Sequence, residues 1–84
     1  MSPTELLSRE ILRLVRVTQR SAFISPGRLS AFYHISEKCV RQELVKLAQE
    51  NRIRLRSSQS HEEFVAQAQE GMLVRVDLPD EVAR

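Results

Sequence analysis

Cysteine, glycine, histidine and aromatic residues are scarce in this chain, and their scarcity limits the chemistry it can perform. Its 84 residues include one cysteine, two histidines, two glycines and no tryptophan. A single cysteine excludes an internal disulfide, which fits a protein of the reducing cytoplasm. Neither a zinc-ligand set nor a glycine-rich phosphate loop can be built from so few of these residues. We therefore expect no catalytic activity, no cofactor and no metal site.

Long apolar runs are also missing. The longest fall far short of the ~20 residues that a membrane-spanning helix needs, so we expect no membrane segment. The chain is long enough for one hydrophobic core and therefore for a single domain, residues 1–84. A hydrophobic fraction of 42% indicates that this domain folds.

The net charge of +2 hides an uneven distribution. Residues 1–56 contain eleven Lys and Arg against five Asp and Glu, whereas residues 57–84 contain two against six. A basic segment is what contacts to nucleic-acid phosphates require. The distribution therefore favours a nucleic-acid partner over the ordinary unevenness of a small surface.

Serine marks each predicted helix start, because its side-chain oxygen can accept a hydrogen bond from a backbone N–H of the first turn. The four starts are Ser2-Pro3, Ser25-Pro26, Ser36 and Ser60. They predict helices over residues 3–19, 26–33, 37–50 and 61–70. Asn51 is expected to end the third helix, because asparagine tolerates the left-handed conformation found there.

Apolar residues at helical spacing indicate which helix faces are buried. On the first helix these are Leu7, Ile11, Leu14 and Val15. On the third helix they are Val40, Leu44, Leu47 and Ala48. The opposite, solvent-facing side of the third helix is expected to carry Lys38, Arg41, Gln42, Val45 and Gln49.

Two segments alternate apolar and polar residues, as half-buried strands do. They are residues 53–57 and residues 72–78, the second with Met72, Val74, Val76 and Leu78 on one face. We expect them to pair as a hairpin with the helix over 61–70 inserted between them, or with a flexible loop there as the alternative. Phe23 and Ile24 can form a further brief strand between the first two helices.

Helix, short turn, helix and strand follow one another over residues 25–55, which is the order of a winged helix-turn-helix. We therefore predict an α+β fold of this kind, with a three-helix core and a β-hairpin wing that contains an inserted short helix. Such folds mainly serve to place one helix in the major groove of DNA.

A set of turn, helix and strand residues in the segment 29–55 adds to this prediction. The set is Leu29, Ala31, Ile35-Ser36, Cys39-Val40-Arg41, Leu44, Leu47, Asn51 and Ile53. It resembles the winged-helix domain of bacterial GntR-type repressors over about a third of the chain. The resemblance implies the fold and DNA binding, but no effector and no operator. Glu37, where the family commonly has arginine, Glu43, where it has a small residue, and the insertion at 57–71 depart from its pattern.

If DNA is bound, the helix that begins at Ser36 is expected to enter the major groove. Arg41 would pair with guanine and Gln42 with adenine, each discriminating between bases by roughly 1–3 kcal/mol. Ser36 and Lys38 would contact phosphate. The remaining candidate contacts are Arg54 and Arg56 in the wing, and Arg28 and Tyr33 in the second helix.

Sequence-specific binding of double-stranded DNA by a small transcriptional regulator is the leading hypothesis. A homodimer is expected, because one module buries little DNA interface, and the first helix or Phe64 and Val65 would supply its contact. The alternative is a winged-helix module that binds a protein partner in a larger complex. Val45 on the outer face, Glu37 and the acidic segment 57–84 favour it. RNA or architectural nucleic-acid binding is a third hypothesis.

Overall fold

A computed structural model describes residues 2–18, 21–56, 60–66 and 73–79 of the protein. In chain order its elements are α1 (Pro3–Thr18), β1 (Ser21–Ile24), α2 (Pro26–Tyr33), α3 (Glu37–Gln49), β2 (Arg54–Arg56), α4 (His61–Ala66) and β3 (Val74–Asp77). Within these ranges, four helices and one antiparallel sheet of three strands form a small α+β fold. The first three predicted helices are confirmed in the described residues. The predicted end of the first, residue 19, lies outside those residues, and the third ends one residue earlier than predicted.

The serine caps form as the sequence predicts. Ser36 Oγ accepts a hydrogen bond from the backbone N–H of Cys39, at 3.1 Å. The same contact, to the N–H three residues along the chain, is made by Ser2, Ser25 and Ser60. Each bond satisfies an N–H that has no acceptor within its own helix, and so fixes where the helix begins.

Residues in the left-handed conformation end α2 and α3. Asn51 has a φ of 59° and follows the capping residue Glu50 at the end of α3, which confirms its predicted role. His34 has a φ of 57° at the end of α2, and its N–H donates to the Ser30 carbonyl. The Ser30 hydroxyl in turn donates to the Ile35 carbonyl. These bonds hold the two-residue link between His34 and α3 in one conformation.

β3 is the central strand of the sheet, with β1 and β2 antiparallel on either side. The predicted pairing of the two strands after α3 is confirmed, and both are shorter than predicted in the described residues. Val74 and Val76 are buried while Arg75 between them is exposed, as the alternation predicts. Met72, which was predicted to share the buried face, lies outside the described residues.

One cluster of buried side chains joins the helices to the inner face of the sheet. Its members from α1 and α3 include Leu7, Ile11, Val15, Val40, Leu44 and Leu47, all predicted from the helical spacing. Leu14 and Ala48 are partly buried against the cluster. The sheet contributes Ile24, Val74 and Val76.

α4 packs against α3 and adds Phe64, 2% exposed, to the same core. The helix predicted over 61–70 is therefore confirmed for residues 61–66, where a flexible loop was the alternative, and residues 67–70 lie outside the described ranges. Because Phe64 is buried inside its own chain, the expectation that it supplies a dimer contact is wrong. None of the helices in the described ranges is long and apolar enough to cross a membrane.

Candidate nucleic-acid interface

A polar stripe runs along the exposed side of α3. Its members, which we call the α3 stripe, are Ser36, Lys38, Gln42, Lys46 and Gln49, all of them exposed. Steps of three or four residues from Lys38 onward place the side chains on one face of the helix. Ser36 lies at the N-terminal end, where the helix dipole favours an anion. Cations, amides and a hydroxyl are the groups that proteins use to contact phosphates and base edges.

Lys46 is the member of the stripe that the sequence prediction missed. The predicted outer face was centred near Lys38 and Val45, whereas the exposed face is turned around the helix axis toward Lys46. Lys46 follows Lys38 by eight residues and Gln42 by four, so its helical spacing was the signal that could have found it.

Arg41 lies under α4, and its predicted place on the exposed face is wrong. The residue is 3% exposed, and its Nε donates a hydrogen bond to the Val65 carbonyl in the last turn of α4, at 3.2 Å. Arg41 Nη1 is 3.8 Å from Glu37 Oε2 and has no hydrogen-bond partner among the described residues. A guanidinium held in this way cannot reach a guanine in the major groove. We therefore remove Arg41 from the candidate contacts.

Val45 is also buried, although it was predicted to lie on the outer face. It is 8% exposed and belongs to the core cluster. A Val45 in the core can touch neither a thymine methyl group nor a protein partner. One of the features that favoured a protein-binding module is therefore absent from this arrangement.

Glu37, which departs from the family pattern, is directed toward its own chain. A Cβ added at Gly27 would lie 3.1 Å from Glu37 Oε1, so the carboxylate lies close against the first turn of α2. The N-terminus of a helix attracts a carboxylate, and Arg41 provides a second attraction on the other side. Glu37 is thus held between α2 and Arg41, and its charge is partly compensated at the end of the α3 stripe.

Arg28 and Tyr33, the two candidates on α2, differ in exposure. Arg28 is exposed in the first turn of the helix. Tyr33 is half-buried on the side that faces α1, where it shares a groove with Glu10 and Leu14. Burial and the nearby Glu10 carboxylate raise the pKa of Tyr33 above its ordinary value. These surroundings favour a packing role for Tyr33.

The outer face of the sheet carries three arginines and one carboxylate. Arg54 and Arg56 of β2 are paired in register with Asp77 and Arg75 of β3, so all four side chains project from the same face. Asp77 bridges the Nε atoms of Arg56 and Arg75 at 3.3 and 3.2 Å. The face keeps an excess of positive charge while Asp77 holds the arginines together. Arg75, which sequence analysis did not single out, belongs to this cluster.

Metal chemistry has no candidate site in the part of the chain that the structure describes. No group of three or more His, Cys, Asp or Glu residues there lies close enough to hold a metal ion.

Comparison with known proteins indicates no function, since no protein-family model, no curated protein and no solved structure matches the chain. Its function is therefore inferred from its own residues and their arrangement.

Proposed function

We propose that the protein is a winged helix-turn-helix that binds double-stranded DNA with α3 in the major groove. The α3 stripe carries this proposal, because it is an exposed row of groups suited to phosphates and base edges. The order of elements supports it too, with two helices joined by a three-residue turn and followed by an antiparallel strand pair.

Four members of the stripe have roles that follow from their positions. Ser36 and the first N–H groups of α3 meet a phosphate at the helix N-terminus. Lys38 and Lys46 hold phosphates as point charges on flexible stems. Gln42, between them, reaches the base edges and pairs with adenine through its amide. Arg54 and Arg56 of β2 contact the DNA backbone beside the groove.

The experiment that tests the proposal is selection from a random duplex library by the purified chain, at about 0.15 M salt. An enriched sequence, especially a palindrome, would support specific and dimeric recognition. Weak, salt-sensitive binding without enrichment would instead support an architectural or RNA-binding role. Absence of any binding would contradict the proposal and favour a protein-binding module.

Lys38→Glu is expected to weaken duplex binding roughly tenfold at about 0.15 M salt, whatever the sequence of the duplex. Loss of one phosphate contact should also reduce the slope of log affinity against log salt by about 0.9. A salt titration by fluorescence anisotropy measures both quantities. The control is Arg16→Glu, which makes the same charge change at an exposed position of α1. Equal losses in the two variants would reduce the effect to net charge and contradict the role of the stripe.

Gln42→Ala is expected to relax base preference at one position of the selected site, by roughly 1–3 kcal/mol. The reason is that an amide pairs with the two polar groups of one adenine edge, which alanine cannot do. Binding to duplexes that differ only at that position measures the preference. Gln49→Ala, at the far end of the stripe, is the matched amide control. A uniform loss on every duplex would show that Gln42 contacts only the backbone.

A further inference from the structure

Three large apolar side chains are exposed together on the side of the molecule formed by α2, β1 and the start of β3. Phe32 is 75% exposed, Phe23 68% and Leu73 63%. Single exposed apolar residues are normal on a protein surface, but a contiguous group indicates a surface that another molecule covers. Neither phenylalanine lies on the α3 stripe, although Phe23 projects from the outer face of the sheet beside its register partner Arg75.

Two open grooves lie beside these side chains. One, of about 570 Å³, is lined by Phe23, Leu73 and Ser25, and the other, of about 380 Å³, by Phe32, Tyr33 and Glu10. Both are also lined by Leu14, Arg28 and Leu29, which makes them neighbours on one surface. We call this surface, with its exposed side chains and both grooves, the α1–α2 face.

We propose that the α1–α2 face is a homodimer interface, covered by the same face of a second copy of this chain. The first reason is shape. A two-fold interface brings a surface against itself, so protruding side chains and the grooves that receive them must lie on the same face. Phe23 and Phe32 protrude beside grooves on the α1–α2 face, so each copy can offer both parts.

The second reason is charge. Glu10, Arg13 and Arg28 line the grooves, Glu10 is already ion-paired with Arg13, and Arg75 stands beside Phe23 in the strand register. A strongly acidic or strongly basic partner would meet the wrong sign on part of this rim. A second copy brings both signs, and a two-fold arrangement can place Glu10 opposite Arg28 of the other copy.

A standard dimer interface takes about 800 Å² from each partner, roughly a seventh of the 5779 Å² accessible surface of this chain. The proposal does not depend on DNA binding, but a two-fold dimer would present two α3 stripes to the two halves of a palindromic site.

Sedimentation equilibrium of the full chain tests the proposal over about 1 μM to 1 mM, the range of weak to moderate affinity. The wild-type chain is expected to form dimers. Phe32→Lys and Phe23→Lys are each expected to raise the dimer dissociation constant at least tenfold, because each buries a charge in an apolar groove. Leu6→Lys is the control, since Leu6 is an exposed apolar residue that lines neither groove.

The outcomes are distinct. Both phenylalanines are largely exposed, so the lysine variants should keep the wild-type circular dichroism spectrum, and Leu73→Lys replaces either variant that does not. A wild-type chain that stays monomeric up to the highest concentration overturns the proposal. A dimer whose dissociation constant is unchanged in Phe23→Lys and Phe32→Lys also overturns it. So does a dimer that Leu6→Lys weakens as much as they do, because either result would mean that the contact does not lie on the α1–α2 face.

Discussion

Phe64→Ala is expected to lower the free energy of unfolding by about 3–5 kcal/mol. Phe64 belongs to a helix of only six described residues, which alone would be unstable in water. Its side chain is 2% exposed and packs into the cluster that joins α1, α3 and the sheet. Alanine would remove this apolar surface and leave a cavity, so both losses contribute. The expected effect is large because α4 is part of the core.

Urea denaturation followed by circular dichroism measures this change. Phe23→Ala is the matched control, since it removes the same atoms from a side chain that is 68% exposed. It should change the free energy of unfolding by no more than about 0.5 kcal/mol when both variants are measured at the same low protein concentration. A loss below about 1 kcal/mol for Phe64→Ala would show that α4 does not pack against α3 in solution.

The helix starts could be predicted because each depends on residues within one turn. A serine and the N–H three residues later are sufficient to form the cap, and no distant part of the chain changes that bond. The end of α3 is equally local, because Asn51 itself takes the left-handed conformation. The same reasoning did not identify His34, which takes that conformation with no glycine or asparagine signal.

The exposed face of α3 could not be predicted, because it depends on a contact between distant segments. Helical spacing shows that Arg41 and Val45 lie away from the centre of the apolar face, but not that another helix covers them. Val65, whose carbonyl accepts from Arg41, lies 24 residues along the chain. The central place of β3 is non-local as well, since β1 pairs with it across α2, α3 and α4. The sequence therefore predicted the position of α3 in the chain correctly, but it placed Arg41 and Val45 on the exposed face, where they do not lie.

Glu37→Ala is expected to lower the free energy of unfolding by about 1–3 kcal/mol, because it leaves the buried Arg41 guanidinium without its carboxylate. Arg41 is 4% exposed at the side chain, so water cannot replace the lost partner. Glu50→Ala is the matched control. Glu50 lies 3.9 Å from Arg52, almost the same separation, but both of those side chains are about half exposed. Such a surface pair contributes roughly 0–1 kcal/mol.

Arg41→Met completes the comparison by removing the buried charge while keeping much of the apolar volume. An uncharged side chain needs no partner, so the free energy of unfolding is expected to stay within about 1 kcal/mol of the wild type. In the Arg41→Met variant, adding Glu37→Ala should lower the free energy of unfolding by much less than it does in the wild-type chain. Additive losses, measured by urea denaturation of the four proteins, would show that the two side chains do not interact.

The same Arg41→Met variant separates the role of Arg41 in stability from the base-reading role that the sequence predicted for it. A buried Arg41 contacts no base, so the variant should keep the base preference of the wild-type chain at every position of a selected duplex. A guanine preference that disappears with Arg41 would mean that α4 moves away from α3 when DNA binds. The Val65 carbonyl would then lose its donor, and the uncovered Arg41 would join Lys38 and Gln42 on the face that we propose binds DNA.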